Sequence, residues 1–159
     1  MGTLTAQADK HEHRHHGKHV HGEGKLAIAL ENDTEAHVQF EFPGDAVFGF
    51  EHTPKNDKQK QTVEAALKTL ETEFAQMLIL DAALGCTFKK EKLEIKTEGK
   101  HNSVEGEFEI ECKNSLKDQK IRFGFNKKFP KLKKLDVDIL KDDAQKSQEI
   151  NRDKGEIKL

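Results

Sequence analysis

The sequence has no long apolar run, no excess of basic residues and, apart from one histidine stretch near the N-terminus, no recognisable catalytic motif. Its longest apolar run, residues 77–80, is far below the roughly 18 residues that span a bilayer, so we expect no membrane insertion. A net charge of -2 argues against nucleic acid or an anionic membrane as a partner, because both attract concentrated Lys and Arg. No G-x-S-x-G, phosphate-binding glycine loop or cysteine beside a histidine occurs, so we do not expect an enzyme.

A secretory signal is also missing, yet residues 3–8 (TLTAQA) have the small-residue composition found beside a signal-peptidase site. We therefore expect Met1 and Gly2 to be additions to a mature, exported protein. Hydrophobic residues make up 34% and charged residues 35% of the 159 positions, which predicts one domain with a modest core and a heavily charged surface. We expect a monomer.

The composition changes near residue 24. Residues 1–24 contain one leucine, one valine and no aromatic residue, so they cannot bury enough apolar surface to offset the entropy lost on ordering. The sequence therefore predicts a flexible histidine-rich arm over residues 1–24 and a single domain over residues 25–159.

Alternation and helical spacing predict the first half of the domain. Residues 26–30 and 38–42 alternate apolar with small or polar side chains around an Asn32-Asp33 turn, which predicts a β-hairpin with one buried face. After a loop, Asn56 is predicted to cap a helix, with Gln59 as its capping-box partner. The apolar residues at helical spacing are Val63, Ala66, Leu67, Leu70 and Phe74. A second apolar segment, residues 77–84, fits either another helix or a buried strand.

The second half predicts more strands. Residues 88–95 and 104–112 flank a polar turn, and a slip of the inward phase between Phe88 and Leu93 requires a bulge or a break. Outward glutamates on one strand face lysines on the other, which predicts ion pairs across the hairpin: Glu105, Glu107, Glu109 and Glu111 against Lys90, Lys92 and Lys96. Further strands are predicted at residues 121–125, 135–139 and 150–159. Because helix and strands are segregated, we expect an α+β fold with an antiparallel sheet.

Cys86 and Cys112 lie at the two open ends of this second hairpin, each thirteen residues from Gly99. This placement favours a structural disulfide that closes the hairpin. A buried thiol pair or a pair of metal ligands stays possible from the residues alone, although the spacing is not the C-x-x-C of a zinc knuckle.

Six histidines stand between positions 11 and 21, and they are His11, His13, His15, His16, His19 and His21. The stretch His11-Glu12-His13-Arg14-His15 matches H-E-x-x-H, but that signature works only on a helix, and this segment has no apolar face. Imidazole is a standard ligand for zinc, copper and nickel, and H-x-H pairs can place two nitrogens on one ion. The tract therefore predicts metal binding. The alternative, a purification tag, is normally an uninterrupted histidine run.

The entropy cost of ordering the arm argues against a rigid zinc site made from arm residues alone. Fixing each residue costs about 1–2 kcal/mol, which over the tract is comparable to the roughly 10–16 kcal/mol that a structural zinc supplies. We expect either several weak sites or one tighter site in which arm residues join ligands on the folded domain. His52, with Glu51 beside it, is a candidate for such a fixed ligand, and His37 is interpreted as a surface residue.

Residues 49–70 (GFEHTPKNDKQKQTVEAALKTL) resemble the zinc-regulated periplasmic zinc-binding proteins of Gram-negative bacteria, the ZrgA-like family. The stretch Gly49-Phe50-Glu51-His52-x-Pro54 is the most specific part. The pairs His19/His21 and Cys86/Cys112 also match the family pattern, as does the stretch around Phe129-Pro130. Family members usually carry a long histidine-rich insertion in the cysteine hairpin, whereas here residues 98–103 contain the single His101.

The resemblance implies a periplasmic protein that binds zinc as its cofactor or cargo and helps supply a zinc ABC importer under zinc limitation. We expect zinc capture through the N-terminal histidines, completed by His52 or His101. The alternative is a structural or interaction module that contacts a transporter, with the histidine arm incidental. The choice of zinc rests on the resemblance, because imidazole sites bind copper(II) more tightly.

Overall fold

A computed structural model describes residues 20–152 and 155–159, so the first nineteen residues of the predicted arm lie outside it. The strands are β1 (Glu23–Leu30), β2 (Glu35–Pro43), β3 (Leu78–Ile79), β4 (Thr87–Glu98), β5 (His101–Glu111), β6 (Lys120–Phe123), β7 (Lys134–Lys141), β8 (Ala144–Asn151) and β9 (Glu156–Lys158). Six of them form a sheet in the order β4-β5-β2-β1-β7-β8, and β3, β6 and β9 form a smaller one. The first strand begins at Glu23, two residues before the predicted start of the domain.

The α+β class is confirmed, with one addition to the predicted antiparallel pairing. The β1–β2 hairpin has the predicted register, with Ile28 opposite Val38, and its apolar residues are buried. On its other side, β1 runs parallel to β7, so that Leu26 lies opposite Val137. The sheet is therefore mixed, and one of its central pairs joins opposite ends of the chain.

The helices are α1 (Gly44–Phe48), α2 (Asp57–Thr72), α3 (Phe74–Met77) and α4 (Phe125–Lys128). The predicted Asn56 cap of α2 is confirmed, since Asn56 Oδ1 accepts a hydrogen bond from the Gln59 N–H at 2.9 Å. The return bond differs from a capping box, because the Gln59 side chain accepts from the Lys55 N–H at 2.8 Å and not from Asn56. Phe74 lies beyond the end of α2 and stacks on Phe108, with ring centroids 4.0 Å apart. None of the described helices is long and apolar enough to cross a membrane.

Three segments differ from the sequence-based expectation. Residues 77–84, whose pattern fitted helix or strand, contain the end of α3, the short β3 and a 3-10 turn, Ala82–Leu84. Phe125, predicted in a strand, is the first residue of α4, and Gly124, whose N–H donates to the Met77 carbonyl oxygen at 2.7 Å, stands between β6 and this helix as its N-cap. The single final strand predicted at residues 150–159 is two strands, β8 and β9, in different sheets.

The β4–β5 hairpin is closed by a disulfide between Cys86 and Cys112, as expected. The predicted bulge falls between Lys90 and Lys92. The expected ion pairs form only in part, since Glu105 contacts Lys92 and Lys96 but Lys90 contacts Glu71 of α2. Two of the four outward glutamates, Glu107 and Glu109, instead contact His37 of β2.

Candidate metal centre

Asp45 is placed where β2 ends and α1 begins. Pro43 is the last residue of β2 and lies opposite Ser103 of β5. A Cβ on Gly44 would come within 2.8 Å of the Asn102 carbonyl oxygen and 3.0 Å of the Phe50 carbonyl oxygen, so only glycine fits between these backbones. This close approach brings the first turn of α1, and with it Asp45, against the start of β5.

Glu51 reaches the same place from the other end of α1. Gly49 ends that helix with a φ of 88°, a left-handed conformation that favours glycine and reverses the chain direction. The segment that follows is tied to β5, because the Asn102 N–H donates to the Glu51 carbonyl oxygen at 2.7 Å. The Glu51 side chain is only 15% exposed.

His101 and His21 approach Glu51 from two further segments. His101 is the first residue of β5 and is thus adjacent to Asn102. His21 lies in the turn before β1, and the next residue anchors it: the Gly22 carbonyl oxygen accepts from the Lys133 N–H at 2.9 Å and from the Lys134 N–H at 3.2 Å. The segment that carries His21 is therefore held against the start of β7.

The side chains of Asp45, His21, Glu51 and His101 are linked by a chain of contacts, with one histidine on each oxygen of Glu51. His21 Nδ1 lies 2.7 Å from Asp45 Oδ2 and 3.2 Å from Glu51 Oε1. His101 Nδ1 lies 2.5 Å from Glu51 Oε2. One ligand atom from each of His21, Asp45 and Glu51 lies within 4.8 Å of the other two, and His101 joins this group through Glu51.

The electrostatics of this cluster favour a positive charge. The hydrogen bond to Asp45 and the charges of Asp45 and Glu51 raise the pKa of His21 above its ordinary value of 6.5. Asp45 Oδ1 is buried and has no hydrogen-bond partner among the described residues. A buried carboxylate oxygen without a partner is unfavourable, and a cation held by the same carboxylate would offset that penalty.

The donor set fits zinc. Histidine nitrogen and carboxylate oxygen are both zinc ligands, and the group of His21, Asp45 and Glu51 offers one nitrogen and two carboxylates, with His101 in contact with Glu51. A site of imidazole and carboxylate without thiolate suits zinc as well as other first-row divalent ions, and it does not suit copper(I).

A family model described as "ZrgA family zinc uptake protein" matches residues 18–159. This chain belongs to the ZrgA family. Membership supports a role in zinc uptake and makes zinc the ion of interest at this cluster. A comparison with curated proteins gives no match.

Of the ligand candidates named from sequence in this ZrgA family member, the structure brings His21, Glu51 and His101 together. It does not bring His52 to them: its ring stacks on Phe50 with centroids 4.9 Å apart, and its Nδ1 bonds to the Thr53 carbonyl oxygen. Five further candidates lie outside the described residues: His11, His13, His15, His16 and His19.

Asp45 is the member of the cluster that sequence reasoning missed. It follows a Pro-Gly pair at the end of a predicted strand, which is typical of an ordinary turn. The sequence signal for Asp45 is the pair of glycines, Gly44 and Gly49, that flanks residues 45–48. Glycine is the residue that allows another backbone to approach closely.

Proposed function

We propose that this protein captures periplasmic zinc between His21, Asp45, Glu51 and His101 and passes it to a zinc importer. The observation that carries the proposal is that His21 and His101, from two separate segments, each contact one oxygen of Glu51, while His21 also contacts Asp45. Such convergence creates a site fixed by the fold, so the ligands need little ordering when the ion arrives. The disulfide is consistent with an oxidising compartment such as the periplasm.

In this proposal the histidine-rich arm delivers zinc to the folded site. His19 is two residues before His21, so the histidine tract ends at the cluster. Weak sites along the arm exchange zinc rapidly, and the folded site retains it more tightly because its ligands are already positioned. His52, the residue after Glu51, remains a predicted ligand. In this proposal it binds zinc transiently while the ion passes from the arm to the folded site.

The test is a full-length variant in which the five histidines from His11 to His19 are replaced by glutamine. Zinc calorimetry is expected to show one tight site retained and the weaker sites lost. Loss of the tight site would show that the arm supplies its ligands. Absence of tight binding in both proteins would favour the alternative, an interaction module with an incidental histidine arm.

Zinc binding should also depend on pH with a defined sign. Because the folded-state pKa of His21 is raised above 6.5, its protonation stabilises the zinc-free fold below pH 6.5, and this contribution is lost as pH rises through the folded-state pKa. Zinc must displace the proton, so affinity falls as pH decreases, beginning above pH 6.5. The zinc-induced increase in Tm is therefore expected to be larger at pH 7.5 than at pH 5.5. Equal increases at both values would contradict a histidine ligand.

A further inference from the structure

His37 of β2 occupies a second group of metal-ligand side chains, at the opposite end of the strand from Asp45. Its Nδ1 lies 2.6 Å from Glu109 Oε1, and its Nε2 lies 3.5 Å from Glu107 Oε2. One ligand atom each from Glu31, His37 and Glu109 lies within 4.8 Å of the other two. Six residues of extended strand separate His37 from Pro43, which places this group roughly 20 Å from the first.

The strand register places His37 beside Glu109 and close to Glu31. His37 is paired directly with Glu109 of β5 on one side and with Ala29 of β1 on the other. Side chains alternate along β1, so Ala29 and Glu31 share a face, and the small Ala29 leaves space beside the imidazole. Glu31 is held in the turn after β1 because its N–H donates to the Glu35 carbonyl oxygen at 2.9 Å.

The local charge is unbalanced. Three carboxylates surround one imidazole, which itself carries at most one positive charge. Among the residues that the structure describes, no lysine or arginine forms an ion pair with Glu31, Glu107 or Glu109. The neighbouring Glu105 differs, since Lys92 and Lys96 both contact it. The His37 side chain is only 23% exposed, so solvent screens this excess negative charge only in part.

We propose that Glu31, His37 and Glu109 form a second zinc site on the outer face of the sheet. His37 Nδ1 and one oxygen from each of the two carboxylates bind the ion, while Glu107 accepts a hydrogen bond from Nε2–H. A carboxylate on the distal nitrogen fixes the tautomer and ring orientation that a ligating histidine needs. Three protein ligands leave one position open to water, which is typical of a site whose ion exchanges. The proposal does not depend on the first site.

The test follows the histidine rings of the full chain by ¹H–¹⁵N NMR during a zinc titration. We expect the His37 ring resonances to shift and to show a protonated Nε2 once zinc binds. In a Glu109→Gln variant, the zinc concentration needed for half of the shift should rise about 100-fold or more, because loss of an outer partner alone costs about 10- to 100-fold and Glu109 is itself a proposed ligand. Glu111→Gln, two residues along the same strand and outside the group, is the matched control and should leave the titration unchanged.

The two sites are read separately in the same spectra, since His37 reports the second group and His21 and His101 report the first. His37 resonances that stay unchanged in excess zinc would overturn the proposal, whatever the other rings do. An identical response in the Glu109→Gln and Glu111→Gln variants would also overturn it, because zinc would then not use the Glu109 carboxylate. A shift of His37 with unchanged His21 and His101 would support the second site and refute the first.

Discussion

Glu51→Gln is expected to weaken zinc binding at the tight site by roughly 100-fold or more. Loss of an outer partner alone costs about 10- to 100-fold in metal affinity, and Glu51 contacts both histidines of the cluster directly. Glutamine preserves the size of the side chain and the carbonyl that holds Asn102, so the fold should persist. The affinity is best measured by competition with a chromophoric chelator in the variant whose arm histidines are glutamine.

The matched control is Glu64→Gln, which removes the same charge from the exposed face of α2. Its zinc affinity should equal that of the parent. A Glu51→Gln protein that is folded by circular dichroism and binds zinc as tightly as the control would remove Glu51 from the site.

Replacing both cysteines by alanine is expected to lower the free energy of unfolding by about 3.5 kcal/mol, from the chain-entropy relation for a loop of this length. The disulfide joins residues 26 positions apart and lies at the open end of the β4–β5 hairpin, beside the paired Thr87 and Glu111. Urea unfolding of the oxidised parent and the Cys86→Ala/Cys112→Ala variant measures the difference.

The proposed first zinc site lies at the opposite, turn end of that hairpin, where His101 begins β5. At low denaturant, the double cysteine variant should therefore retain the zinc affinity of the parent. A change in unfolding free energy below about 1 kcal/mol would mean that the native hairpin does not depend on this crosslink. A matched loss of zinc affinity would mean that the two ends of the hairpin are coupled.

Much of the fold follows from local patterns. The alternation in residues 26–42 and 104–112 is sufficient to identify the hairpins, and Asn56 with Gln59 marks the start of α2. The strand β8 was only partly predicted, because within it Ile150 alone is buried and its strand conformation depends on pairing with β7. The parallel contact of β1 with β7 has no local signal, since it depends on how distant segments pack.

The candidate site was predictable to a smaller extent. Histidines at H-x-H spacing and a family-like stretch identify His21 and Glu51 as candidates, because residue type and neighbourhood suffice for that. Asp45 depends on the close approach of Gly44 to Asn102, and the His37 group depends on cross-strand register. His37 was interpreted as a surface residue because it stands on the outward phase of its strand, and the outward glutamates of β5 were separately assigned to lysine partners. Sheet order, which brings β2 beside β5, decides that pairing instead.

The parallel pairing of β1 with β7 imposes an order of assembly on the protein. Glu23 and Lys134 are 111 positions apart, yet their side chains meet, and the neighbouring Gly22 carbonyl is bound by backbone amides of Lys133 and Lys134. Long-range strand pairing of this kind forms slowly, because loop-closure entropy must be lost before the contact is made. Synthesis begins at the N-terminus, so the histidine tract is made long before β7, and His21 acquires its position only once the start of β7 lies beside Gly22. In the proposed function, tight zinc retention by His21 and its partners therefore requires that the pairing of β1 with β7 has already formed.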